Sequence, residues 1–406
     1  MEMSDAREMG FDPERLARIP AFLEGRYLAP GLLPGVQLLV AREGKVVHFS
    51  TQGPARADGA PLRDDAIFRI ASMTKPVTSV AFMMLLEEGK VTLDQPVESV
   101  IPEWRDIGVY DGGGAGVPFR TKRPDRPMQM IDLLRHTSGL TYSFQNRTNV
   151  DAAYRETRLE RWHGGHDLDG FAAAIAEIPL EFSPGTAWNY SLSTDALGLV
   201  VQRVSGLPFD RFLAERILKP LKMDDTGFSC PADQAHRLGD AWAFHPKQKK
   251  ILYDRAAESA WLKPPRLVSG GAGLVSTSAD YHRFCTMLLN GGALDGARIL
   301  SRKTIALMIA NHLPGGGDLT EMSRSLFSEA VNAGQGFGLG FAVNLDPAKT
   351  MIPGTKGEYY WGGMFSTAFF IDPIERVSMV FMTQLMPSTT YPIRRQLKTL
   401  IYSALA

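Results

Sequence analysis

The sequence predicts a mixed α/β (α+β) fold: strands from both ends of the chain build one antiparallel sheet flanked by helices, and a mostly helical insert separates them. Three observations carry that expectation. Strand-like apolar segments cluster at 35–50 and 336–384. Between about Val91 and Leu267, Pro, Gly and Asp break the chain into short helical stretches and loops, as in "DGGGAGVPFRTKRPDRP" and "EFSPGTAWNY". Amphipathic helical segments stand near the two ends. With 406 residues the chain is long enough for two domains. The expected division is a discontinuous α/β domain over 1–95 and 230–406 and a helical insert over 96–229, with an active site at their interface.

Each element has a local reason. Asp12 to Tyr27 shows helical periodicity with Pro13 near its start, where a missing N–H costs nothing. "GVQLLVAREGKVVHFS" reads as two strands joined by a tight turn at Arg42-Glu43-Gly44-Lys45. The apolar segment after Ser72, ending at Glu87-Glu88-Gly89, is too long for a strand and reads as a buried helix. "STDALGLVVQRVSG" predicts a helix capped by Ser193 and stopped by Gly206. "GFGLGFAV" and "STAFFIDPIERVSMVFMTQ" read as strands, the second a hairpin around Asp372-Pro373. "YPIRRQLKTLIYSAL" closes the chain as an amphipathic helix.

Composition narrows the function. Lys and Arg number 44, as do Asp and Glu, so the formal net charge is zero and no footprint for nucleic acid or an anionic membrane arises. Apolar runs such as Val80 to Leu86 fall far short of a membrane span. The first residues have neither the basic nor the apolar region of a signal peptide. The two cysteines, Cys230 and Cys285, have no metal or redox spacing and suit a reducing compartment, so a cytoplasmic protein is expected.

Chemistry centres on "SMTK". A helix starting near Ser72 places Ser72 and Lys75 one turn apart on one face. The positive end of the helix favours a developing negative charge, and the Ser72 N–H can donate to an oxyanion. Lys75, desolvated by the apolar helix behind it, could take a proton. Two fixed positions are too short a pattern to stand alone. Competing signals are missing: there is no G-x-S-x-G, no H-E-x-x-H and no glycine-rich phosphate loop. His163 and His166 lie in a glycine-rich loop without a carboxylate motif, so no zinc site is expected. In "RHTSGL", His136 and Ser138 point apart, and the segment reads as a turn or a cleft wall.

"SMTK", "LLRHTSGL", "PGTAWNYSLSTDALGLVV", "SGGAGLVSTSADYHRF" and "WGGMFSTAFFIDP" together resemble the serine β-lactamase and penicillin-binding-protein superfamily, in order and over nearly the whole chain. Within it the likeness is to the family VIII carboxylesterases, which implies a class C β-lactamase-like fold. The resemblance makes Ser72 the acylated serine and Lys75 and Tyr190 a coupled general base and acid. It makes the backbone N–H groups of Ser72 and Met364 the oxyanion hole, with Met364 on the strand after two glycines. Leu192 stands where the class C enzymes carry the Asn of Y-x-N, and Trp361-Gly362-Gly363 replaces K-T-G. Losing that lysine removes a cation for a β-lactam carboxylate and tilts the reading to esters. A tyrosine with an ordinary pKa of about 10 is a poor base without a cation beside it, which Lys75 would supply. Gly362 and Gly363 would leave room for substrate, and Trp361 would wall the acyl or alcohol pocket or pack at the sheet edge. Gly270, Gly271 and Gly273 read as backbone-packing residues. Tyr142, Phe144 and Trp162 suggest an apolar pocket for short-chain acyl esters.

No metal or organic cofactor is expected; the only partner expected is a small-molecule ester, with no nucleic acid and no membrane. The rival readings are a β-lactamase or D-amino-acid peptidase, an acyl-transferring transesterase, and a penicillin-binding or sensor module that acylates without turnover.

Overall fold

A seven-stranded antiparallel sheet organises the chain in the computed structural model, which describes residues 2–160, 165–324 and 333–406. Trp162 and His163 lie outside the described residues. The strands are β1 (Val36–Arg42), β2 (Lys45–Gln52), β3 (Gln335–Phe337), β4 (Ala342–Asn344), β5 (Tyr359–Gly362), β6 (Ala368–Asp372) and β7 (Val377–Met382). They lie in the order β3-β4-β5-β6-β7-β1-β2. The chain ends therefore meet in mid-sheet, with Leu39 of β1 opposite Val380 of β7. The β1–β2 turn uses Glu43 and Gly44, both at positive φ, the geometry whose twist matches an antiparallel hairpin.

The central strands are buried on both faces, which explains their unbroken apolar runs. Leu39, Phe369 and Val380 face forward into the main core, with helices α1 (Thr74–Glu87), α2 (Ser193–Ser205) and α3 (Ser278–Leu289). Leu38, Phe370 and Phe381 face the rear, where Leu23 and helix α4 (Ile393–Ser403) cover them. Residues Thr74 to Leu85 of α1 are all buried, so it is apolar all round and carries no amphipathic signal.

Several expectations need correction. The first helix is broken into Pro13–Leu16, Arg18–Leu23 and a wide turn over Glu24–Leu28. Ser193 is the first residue of α2 and Leu192 its cap; the Ser193 hydroxyl bonds Ser138 and Ser191 instead. "GFGLGFAV" contributes to β3 and β4, separated by a turn with Gly340 at φ 101°. The middle of the chain is not free of strands. Hairpins form over Val109–Gly114 with Val117–Lys122, and over Ala241–His245 with Lys249–Asp254. The first was hidden by Gly112, Gly113 and Gly114, all at positive φ, whose bulges break the period-two pattern.

Helix α3 docks against the β1–β2 turn through His282, whose Nε2 lies 3.2 Å from the Gly44 carbonyl. Burial lowers the His282 pKa to about 4 from an ordinary 6.5. The unfolded chain therefore binds a proton between pH 6.5 and 4 that the folded chain refuses, and stability falls as pH drops through that window. His282→Gln should flatten the decline in melting temperature between pH 6.5 and 4 by roughly one proton's worth. A decline parallel to that of the unaltered protein would remove His282 as its source.

Candidate active site

Ser72 sits in a tight turn, Ala71–Met73, that leads into α1. Ala71 has φ 44°, an unfavourable conformation for a residue with a Cβ, so surrounding structure must hold it. It does so through several bonds. The Ile70 N–H donates to the Leu274 carbonyl at 3.1 Å, and the Tyr281 hydroxyl donates to the Met73 carbonyl at 2.9 Å. The Leu274 N–H donates to Thr74 Oγ1 at 3.1 Å. Pro76 falls in the first turn of α1, where a missing N–H is harmless.

Lys75 lies one turn on and is 1% exposed. Its Nζ is 3.3 Å from Ser72 Oγ, 2.9 Å from the Tyr142 hydroxyl and 2.8 Å from the Gly271 carbonyl. It also lies 4.5 Å from the centre of the Tyr190 ring, a cation–π arrangement. The Tyr190 hydroxyl is 2.6 Å from Ser72 Oγ, closer than the lysine. Tyr190 is held by rings on several sides: His136 at 5.1 Å, Tyr142 at 5.1 Å and Trp361 at 5.4 Å between centroids. The fold thus joins Ser72, Lys75 and Tyr190, 118 residues apart at the extremes, into one hydrogen-bonded cluster.

Charge around the cluster is arranged in depth. Asp195 in α2 accepts from the Gly271 N–H at 3.2 Å and from the Ser269 hydroxyl. Burial raises its pKa, and the Lys75 charge pulls it back down. Gly271 therefore links the two groups, its N–H on Asp195 and its carbonyl on Lys75. A Cβ at Gly271 would lie 2.4 Å from Asp195 Oδ2, which accounts for the glycine. Gly270 and Gly273 are also close-packed, against the Thr194 carbonyl and Phe228. Buried His136 is pushed well below the usual histidine range by desolvation and then by Lys75, so it stands beside Tyr190 as neutral imidazole. Glu160, desolvated and accepting the Ser143 N–H at 2.6 Å, is pushed up to about 7.

The remaining expected residues fall in varied places. Tyr142 does more than line a pocket, since its hydroxyl meets Lys75. Phe144 stacks on it at 4.8 Å and is 41% exposed. Trp361 is buried with its ring against Tyr190 and Phe337, so it backs the tyrosine and forms no open wall. Leu192, expected among the substrate-binding residues, is buried in the same apolar cluster as Tyr142, Tyr190 and Trp361. Met364 is not on the strand: β5 ends at Gly362, and Met364 is half-buried in the following turn. Gly362 and Gly363 do not open space for a ligand. A Cβ on Gly362 would meet the Arg394 guanidinium at 2.5 Å, and one on Gly363 would meet the Ile70 carbonyl at 2.3 Å. That last contact sets the Gly363–Met364 peptide beside the serine turn. A cavity of about 370 Å³ lies behind the sheet against α4, and Ser72, Lys75 and Tyr190 do not line it. Among the described residues no cluster of His, Cys, Asp and Glu could hold a metal.

Sequence reasoning missed Asp195, the Gly271 carbonyl and Arg394. A readable sign of Asp195 was a lone carboxylate heading the apolar run "ALGLVV".

The chain is similar to known proteins over most of its length. A family model described as Beta-lactamase matches residues 23–402. Protein Rv1367c of Mycobacterium tuberculosis is 35% identical to this chain, over 88% of it and 87% of that protein. Esterase EstB of Burkholderia gladioli is 30% identical, over 86% of each. Among solved structures, EstCE1, described as a hydrolase with promiscuous acyltransferase activity, superposes with a TM-score of 0.76 at 25% identity, over 96% of this chain and 99% of that one.

Removing the Tyr142 hydroxyl takes a partner from a buried ammonium, and a hydrogen bond to a charged group is worth about 1.5–3 kcal/mol. Tyr142→Phe should therefore slow fluorophosphonate labelling of Ser72 by on the order of tenfold or more. Labelling at an unchanged rate would separate Tyr142 from the reactivity of the serine.

Proposed function

Because the chain belongs to the beta-lactamase family, we propose that it is a serine hydrolase cleaving short-chain carboxylic esters through an acyl-enzyme on Ser72. The observation that carries this reading is the contact of Ser72 Oγ with both the Tyr190 hydroxyl at 2.6 Å and Lys75 Nζ at 3.3 Å. Similarity to an esterase, EstB, favours an ester over a lactam, as does Trp361-Gly362-Gly363 in the place of K-T-G.

The ester carbonyl oxygen is received by the N–H groups of Ser72 and Met364, donors of the kind that stabilise a tetrahedral oxyanion. Ser72 Oγ bonds to the carbonyl carbon as its proton passes to the Lys75/Tyr190 pair. The pair then gives that proton to the departing alkoxide as the C–O bond breaks. Water repeats the sequence on the acyl-enzyme, loses its proton to the pair, and releases the acid and free Ser72. Tyr190 is the nearer atom to Ser72, and Lys75 over its ring stabilises a phenolate, so the two act as one unit.

Substrate enters where the insert over 96–229 meets the α/β domain over 1–95 and 230–406. Tyr142 and Tyr190 come from the insert, and Ser72, Lys75, Gly271 and Met364 from the domain. We place the protein in the cytoplasm, because Cys230 and Cys285 are buried free thiols. Among the described residues no helix is long and apolar enough to cross a membrane. Transfer of the acyl group to an alcohol in place of water is the second reading, favoured by the likeness to EstCE1.

Ser72→Ala, Lys75→Ala and Tyr190→Phe should each lower turnover of p-nitrophenyl acetate by at least about a thousandfold while the far-UV spectrum stays native. Activity should fall as pH drops below 7, since the base must be free of its proton. A fluorophosphonate adduct away from Ser72, or a rate flat from pH 5 to 9, would sink the mechanism. Nitrocefin should turn over far more slowly than the ester, and an added alcohol acceptor tests the second reading directly.

A further inference from the structure

We propose that Arg394 of α4 is a positioning residue that aims the Met364 N–H, acting from behind the sheet; this rests on the reading of Met364 as an oxyanion donor. The guanidinium Nη2 of Arg394 donates to the Gly363 carbonyl at 2.7 Å and to the Thr367 carbonyl at 2.8 Å. These carbonyls flank the turn that contains Met364. The turn is closed internally by the Gly363 N–H on the Thr367 carbonyl at 2.9 Å and the Ser366 N–H on the Gly363 carbonyl at 3.0 Å. Ser366 at φ 68° adds a conformation that needs outside support.

The Gly363 carbonyl and the Met364 N–H belong to one peptide group, which is planar and trans. Its oxygen and hydrogen point in opposite directions. A cation that draws the Gly363 oxygen towards α4 therefore turns the Met364 N–H away from α4. A flip of that peptide would put a carbonyl oxygen where a donor is required, and it would also forfeit the charge-assisted bond from Arg394 and the Ser366 N–H bond to the same oxygen. Gly362 completes the device. Its missing Cβ leaves the space through which the guanidinium reaches the turn, since a Cβ there would lie 2.5 Å from the Arg394 guanidinium carbon. Gly363 fits against the Ile70 carbonyl on its other side, where a Cβ would lie 2.3 Å away. Both glycines of "WGGM" thus answer to backbone placement, one for Arg394 and one for the serine turn.

The cavity of about 370 Å³ lined by Arg394 offers a direct test, because it can admit a small guanidinium from solvent. Turnover of p-nitrophenyl butyrate is measured for the unaltered protein and for Arg394→Ala, Arg394→Lys, Gly362→Ala, Arg395→Ala and Ser72→Ala. Loss of one oxyanion donor lowers kcat by about 10²–10³-fold. Arg394→Ala should show a fall of that order with KM within about threefold, and Arg394→Lys should keep an intermediate kcat. Methylguanidinium should restore about tenfold of the Arg394→Ala rate and leave the unaltered protein unchanged. Gly362→Ala should reproduce the loss with Arg394 present, which keeps the test open should Arg394→Ala fail to fold. Arg395→Ala, on the exposed side of α4 with its guanidinium on the Met351 carbonyl, should behave as the unaltered protein. Arg394→Ala with kcat within about threefold of normal, or a loss that methylguanidinium does not relieve in a natively folded variant, would overturn the role. If Ser72→Ala stays active, the serine mechanism itself fails; if it is inactive while Arg394→Ala is intact, only the positioning role fails.

Discussion

The buried ammonium of Lys75 is the constraint around which the rest of the site is arranged. An ammonium taken out of water loses several kcal/mol of hydration unless partners replace it. Here the replacement is the Gly271 carbonyl, the Tyr142 hydroxyl, Ser72 Oγ and the face of the Tyr190 ring. None of these except Ser72 is near Lys75 in sequence. A serine three residues before a lysine joins this cluster only because Tyr142, Tyr190 and the Gly271 carbonyl, all distant in sequence, fold against the pair. Asp195 extends the arrangement by holding the N–H of Gly271, the residue whose carbonyl meets Lys75.

A rigid sheet with two buried faces makes this assembly reproducible. Its forward face carries α1 and the serine turn, and its rear face carries α4. The end of β5 touches both layers. On one side Gly363 lies against Ile70, two residues before Ser72; on the other Gly362 lies against Arg394. Alternation of side chains along a strand puts Trp361 forward, where its ring backs Tyr190, and leaves the next position for the rear. Three consecutive residues thereby serve the tyrosine, the arginine and the serine turn in succession.

The sequence made the elements and the cluster readable for physical reasons. Hairpin signals at Glu43-Gly44 and Asp372-Pro373 are local, and both hairpins are present. The Ser72, Lys75 and Tyr190 cluster was legible through ordered motifs, not through periodicity. What stayed hidden depends on contacts across the chain. The hairpin over Val109–Gly114 and Val117–Lys122 was masked by glycine bulges. The glycine pair was read as room for substrate because sequence shows a missing side chain without showing what fills the space. Arg394 lies 31 residues beyond Gly363 on an ordinary amphipathic helix, and nothing in its neighbours distinguishes it from Arg395.

The degree of closure bears on what the site can accept. Lys75 and Tyr190 are each 1% exposed, whereas Ser72 is 7% exposed. The proposed base is thus shielded from bulk water while a sliver of the proposed nucleophile remains reachable. Shielding strengthens the field of Lys75 on the phenol, because charge interactions grow as the local dielectric falls. It also penalises a charged acyl group, which would shed its hydration to approach the serine and meet no lysine in the place of K-T-G. In the proposed reaction a neutral acyl chain avoids that loss and would gain from contact with aromatic side chains such as Phe144, stacked on Tyr142. The proposed preference for a neutral ester over a carboxylate-bearing lactam therefore follows from the same burial that holds the Lys75 and Tyr190 pair together.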